Sequence, residues 1–183
     1  MKNFFTTDYH FMHNNVIRYD NRPFKDVYHM GEVIIQKHNC IVSKEDHFYY
    51  LGDFCFNISK LEEYLSRLNG KKFFIKGNHD KDKHIKIFEK YGEYLGEQKR
   101  IHINGQDIIL NHFSMRVWDK HHHGAIHLYG HSHNSLENSP NGKSMDVFIG
   151  NNDYYPYELN DILKILNNRE IQNVDHHYNY EKK

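Results

Sequence analysis

The chain has 183 residues, enough for one domain with a substantial core. Its 24 basic and 24 acidic side chains balance, so net charge gives no argument for a nucleic-acid polymer or a membrane surface as partner. Cys40 and Cys55, with no CxxC spacing, exclude a disulfide framework and fit a reducing compartment. No apolar run approaches the ~18 residues of a membrane span or a signal segment, so a cytoplasmic location is expected. The unusual number is 17 histidines, the commonest metal-ligating side chain.

In chain order, Lys2 to Asp8 reads as a strand buried on both faces, ending in Asp8-Tyr9-His10. Residues 11–25 read as a long loop, and a loop of that length in a compact domain is often functional. A helix is expected over Met30–Val42 and a second strand over Asp46–Leu51, ending in Gly52-Asp53. Ser59 with Glu62 reads as a capping box opening a helix that Asn69-Gly70 stops. Lys71–Ile75 is a third strand, followed by Gly77-Asn78-His79-Asp80 and a helix to about Lys90.

The pattern then changes. Gln98–Ile103, Asn104-Gly105 and Gln106–Leu110 read as a hairpin ending in Asn111-His112. Strands are expected over Ala125–Tyr129, ending in Gly130-His131-Ser132-His133, and over Ser144–Ile149, with a turn at Asn138–Gly142 between them. A last amphipathic helix runs from about Glu158 to Asn168, and residues 173–183 read as a polar, frayed tail after a single domain over 1–172. A β-α-β-α-β-α half followed by a mostly β half with a closing helix predicts an α/β fold, an αββα sandwich of two mixed sheets flanked by helices.

Each of these strand ends carries Asp, Asn or His, and ligands bind at the carboxyl ends of strands in open α/β folds. Residues i and i+2 of a strand share a face, so Asp8 with His10, and His131 with His133, can converge. Oxygen donors mixed with imidazole suit Mn, Fe, Zn or Mg rather than a thiolate-bound metal. Asp8, His10, Asp53, Asn78, His112, His131 and His133 are too many for one tetrahedral ion and suit two, with one carboxylate bridging.

Asp8-Tyr9-His10, Gly52-Asp53, Gly77-Asn78-His79-Asp80, Asn111-His112 and Gly130-His131-Ser132-His133, in this order, resemble the calcineurin-like metallophosphoesterase family, in particular its small cap-less bacterial and phage members. The resemblance runs from about residue 3 to 160. It implies a metallo-dependent phosphatase-like fold and two divalent ions, Mn first, with Fe, Zn, Ni or Mg as alternatives. Asp8, His10, Asp53 and His133 would hold one ion and Asp53, Asn78, His112 and His131 the other, with Asp53 bridging. His79 would be the acid beside the phosphate, with Asp80 orienting it. The implied reaction is hydrolysis of a small phosphodiester or phosphomonoester by in-line attack of a metal-bridging hydroxide. A nuclease or cyclic-nucleotide phosphodiesterase on the same site, and a catalytically inactive scaffold of the same fold, are the alternatives.

His13, Arg22, Arg116 and His122 are candidate substrate contacts, with structural pairing an equal alternative for the two arginines. The expected partner is a small phosphate ester or nucleotide-like molecule; balanced charge argues against long nucleic acid, and no membrane is expected. Lys71, Lys72, Lys76, Lys81, Lys83 and Lys86 read mostly as a solvated face, Trp118 and Tyr155 as core. Phe54-Cys55-Phe56 is more apolar than the family pattern and would narrow the pocket. His84, His102, His176 and His177 read as surface residues.

Overall fold

The computed structural model describes residues 1–136 and 142–171. The first sheet holds β1 (Asn3–Thr6), β2 (His47–Tyr50), β3 (Lys71–Ile75), β4 (Gly92–Gly96) and β9 (Tyr157–Glu158), in the order β4-β3-β2-β1-β9. β1 to β4 are parallel, and β9 adds antiparallel to β1. The second sheet holds β5 (Gln98–Ile103), β6 (Gln106–Asn111), β7 (Ile126–Tyr129) and β8 (Ser144–Asp146) in sequence order. There β5 and β6 form the antiparallel hairpin and the other pairings are parallel. Both sheets are therefore mixed, as the sequence predicts.

The continuous apolar strands follow from burial on both faces. Phe4, Phe48, Tyr50 and Phe74 face α2 (Val27–Ile41), α3 (Ile58–Arg67) and α4 (Asp82–Tyr91), which contribute Met30, Ile34, Leu61, Leu65 and Phe88 to the same cluster. Their neighbours Phe5, Tyr49, Leu51 and Ile75 face the second sheet and meet Ile108, Leu110, Ile126 and Leu128. Helix α5 (Leu159–Asn167) adds Leu159, Ile162 and Leu166 to that inter-sheet cluster. Trp118 packs with Ile109 and Ala125, and its indole N–H donates to the Ala125 carbonyl at 2.7 Å, so it is core as expected. No helix among the described residues is long and apolar enough to cross a membrane.

Several local expectations are corrected. The loop over 11–25 contains a short helix, α1 (Asn14–Tyr19). Asn57, not Ser59, caps α3: its Oδ1 accepts from the Ser59 N–H at 3.0 Å and from the Ser59 hydroxyl at 2.8 Å. β4 and β9 were not expected; they are the two edge strands, and β9 is only 2 residues long. The strand expected to reach Ile149 stops at Asp146, although Phe148 still bridges Thr7. His84 is buried, not a surface residue, because its Nδ1 accepts from the Lys81 N–H at 3.0 Å and caps α4. Most of the turn expected at Asn138–Gly142, the tail over 173–183, and His176 and His177 lie outside the described residues.

Candidate metal centre

The parallel strands β1, β2 and β3 end side by side, and β6 and β7 end opposite them across the sandwich. The residues just past these ends do not continue the strands. Asp8, His10, Asp53, His131 and His133 have φ of 58°, 51°, 62°, 66° and 44°, all left-handed. Asp8 and His10 do converge, as expected, but through these turns and not through strand alternation. Two left-handed residues flanking Tyr9 turn both side chains inward, while the Tyr9 ring goes into the core.

The turns are fixed by bonds between strand ends. The Asp8 and His10 amides donate to the carbonyls of Gly52 and Asp53, both at 3.1 Å. The buried Arg22 guanidinium donates to the carbonyls of Tyr9 and Asp8 at 2.9 and 3.0 Å and pairs with Asp20 at 2.8 Å. Arg22 is thus a brace under the Asp8-His10 turn; of its two expected roles, the structural one is what the geometry displays. Gly77 is required by contact: a Cβ there would collide with the Asp53 carboxylate and amide.

Asp80 also differs from expectation. It is 2% exposed, and its Oδ2 accepts from the amides of Asp53 and Gly77, both at 2.9 Å, while Oδ1 accepts from Phe54 at 3.4 Å. It holds the backbone that presents Asp53, rather than the His79 ring. Burial raises its pKa, and the amide bonds oppose that shift.

The donor atoms converge in two groups that can hold metal ions, Asp8/His10/His133 and Asp8/Asp53/His112. Asp8 Oδ1 lies 3.5 Å from His10 Nε2 and 3.4 Å from His133 Nε2. Asp53 Oδ2 lies 3.4 Å from His112 Nε2 and 3.9 Å from His10 Nε2, between the groups. Asn78 Oδ1 lies 2.9 Å from both His112 Nε2 and His131 Nδ1. His131 also donates its backbone N–H to Asp8 Oδ2 at 2.9 Å.

The chemistry of these atoms fits a cation. His112 Nδ1 donates to the Leu51 carbonyl at 2.8 Å, so in the neutral ring Nε2 carries only a lone pair. That lone pair would face the oxygens of Asn78 and Asp53; burial lowers the His112 pKa, but Asp53 and Asp8 more than reverse this, so the position favours a positive charge, a proton or a cation. His133 lies between two carboxylates: Nδ1 faces Asp20 at 2.9 Å and Nε2 faces Asp8 at 3.4 Å, a position that favours a positive charge, a proton or a cation. A carboxylate behind a metal-facing imidazole fixes its tautomer and orientation. Asp8 Oδ1 is itself buried without a hydrogen-bond partner. Burial pushes the Asp8 pKa up, but the His10 and His133 imidazoles, 3.5 and 3.4 Å from Oδ1, hold it well below the carboxylate range. Burial pushes the His133 pKa down, but Asp20 and Asp8 more than reverse this, to about 9.

His79 stands beside this group, with its backbone N–H bonded to Asp53 Oδ1 at 2.8 Å and its Nε2 3.9 Å from Asp53 Oδ2. His13 is brought to the site: its ring stacks on Phe56 with centroids 3.9 Å apart, 5.4 Å from the His10 ring, and burial lowers its pKa to about 4. Arg116 is exposed in the loop after β6, and His122 packs against His123 with the rings tilted, centroids 4.0 Å apart, in a 3-10 turn. Neither lines the two pockets that open beside Asn78 and His79, of about 460 and 140 Å³. Asp20 is the site residue that sequence reasoning missed. Its signal was its place two residues before a buried arginine, within the loop that leaves His10.

No family model matches the chain. The uncharacterized protein MJ1445 of Methanocaldococcus jannaschii is 33% identical over 179 residues, covering 93% of this chain and 94% of that one. The chain belongs to the same family as this archaeal protein. Its fold is shared with a protein of unknown function, AQ665 from Aquifex aeolicus, whose crystal structure overlaps 90% of this chain and 98% of its own with a TM-score of 0.69 at 24% identity. A looser overlap is with YfcE, a phosphoesterase from E. coli, at 15% identity and a TM-score of 0.40 over 81% of this chain and 76% of that one. At that level the overlap carries no argument for the chemistry, which has to be argued from the site.

Proposed function

We propose that this protein is a metal-dependent phosphoesterase of the calcineurin-like type, with two divalent ions, Mn first, held at the Asp8/His10/Asp53/His133 and Asp53/Asn78/His112/His131 positions. The observation that carries this reading is the set of facing acceptors: Asp8 Oδ1 without a hydrogen-bond partner, and His112 Nε2 against Asn78 and Asp53. Cations between these atoms would satisfy the buried acceptors and offset the carboxylate charge.

When bound, a pair of divalent ions neutralises charge on a phosphoryl group and makes water a nucleophile near neutral pH. The chain's own contributions are distinct. Leu51 and Asp20 fix the tautomers of His112 and His133, so that the lone pairs face inward. Asp80 and Arg22 hold the two turns that present Asp53, Asp8 and His10. His79, whose side chain is 47% exposed, is free to reach an ester oxygen and deliver a proton to the departing alkoxide.

The test is hydrolysis of bis-p-nitrophenyl phosphate with Mn²⁺, Ni²⁺, Zn²⁺ or Mg²⁺, beside elemental analysis of bound metal. His79→Ala should keep the metal and lower kcat by roughly 10²–10⁴. Wild-type turnover no greater than that of His79→Ala across all four metals would overturn the reading.

A further inference from the structure

Two pockets open beside the candidate centre, one bordered by Asn78 and the other by its neighbour His79. Asn78 lines a pocket of about 460 Å³ together with Lys76, Lys81, Asn111 and Phe113. His79 lines a pocket of about 140 Å³ together with Phe56, Ile58, Lys83 and His84. Lys81 borders both. The larger is within the roughly 300–1,000 Å³ range of small-molecule sites, and the smaller is below it.

Each pocket has an aromatic wall that the core does not claim. Phe113 is 48% exposed, with its ring centroid 4.6 Å from His131 and 5.2 Å from His112. Phe56 is 45% exposed, stacked on His13 and 4.9 Å from His79. Large apolar side chains this open cost hydration, and both touch the rings that would surround a phosphate. A monoester has one arm and would fill one pocket. The second pocket, with its aromatic wall beside a candidate site histidine, would then be left without an occupant.

Resting on the phosphoesterase reading above, the geometry points to a phosphodiester substrate with unequal arms. A nucleoside-type arm lies in the larger pocket with its base against Phe113, and a small alcohol arm lies in the smaller pocket beside His79. Water oxygen bonds to phosphorus, and the bond from phosphorus to the small arm's oxygen breaks. One proton of the water reaches that oxygen through His79, and the other stays on the phosphate. The products are an alcohol and a nucleoside monophosphate, the latter retained by Phe113. Any base can stack on an aromatic face, so the site would accept more than one.

The test uses the Mn²⁺-loaded protein and two readouts. Thymidine 5′-(p-nitrophenyl phosphate) should be hydrolysed with at least about tenfold higher kcat/KM than p-nitrophenyl phosphate. Phe113→Ala should raise KM for this diester about tenfold, within the range expected for one stacked base, and Phe113→Trp should restore it. By calorimetry, thymidine 5′-monophosphate should bind about tenfold or more tighter than inorganic phosphate, and Phe113→Ala should erase the difference. A preference for the monoester, or equal affinity for the nucleotide and for phosphate, overturns the inference while leaving a phosphoesterase. Absence of turnover on both esters would instead strike the underlying reading, and calorimetry would still decide whether Phe113 seats a base.

Discussion

Replacing Asp80 with alanine separates two roles for the residue. Its carboxylate is 2% exposed and takes three backbone N–H groups, two at 2.9 Å and one at 3.4 Å. Removing it strands these donors in a dry site, at about 1–3 kcal/mol for each well-made bond. The long bond from Phe54 adds little, and deleting a carboxylate that burial disfavours returns part of the loss. A net cost of about 3–4 kcal/mol follows, a large part of the ~5–15 kcal/mol that holds a domain together. In a chain of this size it should lower Tm by roughly 10 °C. Because Asp53 and Gly77 lose their anchor, metal affinity should fall about 10–100-fold. Thermal unfolding without metal and calorimetric titration with Mn²⁺ measure the two effects. Asp80→Asn, which keeps one carbonyl-type acceptor, should lie between. Unchanged Tm and metal affinity, with kcat reduced as in His79→Ala, would show instead that Asp80 acts as a support for His79.

Asp53→Asn should lower the metal content to at most one ion per chain, since Asp53 Oδ2 lies between His112 and His10; elemental analysis showing two retained ions would count against a bridging role. Asp20→Asn should weaken Mn²⁺ binding about tenfold or more and lower the His133 pKa from about 9, because the largest of the contacts raising it is lost; calorimetry and an NMR titration read these. Away from the centre, burial pushes His38 down to about 4, with Tyr9 and Asn69 bonded to its two nitrogens. The fold thus prefers the neutral ring, so its contribution is full above the unfolded value of about 6.5 and is lost as pH falls toward 4. Between pH 7.5 and 5, wild type should lose about 2 kcal/mol more stability in urea than His38→Gln, and parallel curves would contradict this.

The layers were legible because burial on both faces leaves an unbroken apolar run, as in Phe48-Tyr49-Tyr50-Leu51 and Phe73-Phe74-Ile75. The edges were not. β4, Gly92-Glu93-Tyr94-Leu95-Gly96, is half-buried at best and bounded by glycines, so it carries neither the run nor a clean alternation. The ligand candidates were visible as polar residues closing apolar runs. Their supports were hidden because they act across the chain. Asp80 adjoins His79 in sequence, yet its carboxylate reaches an amide 27 residues away, and Asp20 reaches His133 over 113 residues. Proximity along the chain suggested a partner for Asp80 that proximity in space replaces.

The left-handed residues show why the centre had to be built this way. A strand would have placed Asp8 and His10 on one face with their roots about 6–7 Å apart and their side chains parallel, whereas here Asp8 Oδ1 and His10 Nε2 lie 3.5 Å apart. Turning both into the left-handed region, with Tyr9 between them in the core, folds the two side chains back onto one point. The conformation costs on the order of 1 kcal/mol for each non-glycine residue. Over Asp8, His10, Asp53, His131 and His133 that is about 5 kcal/mol, comparable to the lower end of a domain's stability. It persists because Arg22, Asp80, the Gly52 and Asp53 carbonyls and the His131 amide over-determine the turns. Left-handed residues also occur elsewhere, as at Met12, Asn104 and Tyr154, but at the strand ends five of them carry donor atoms that face one another, and a cation held there would offset their strain.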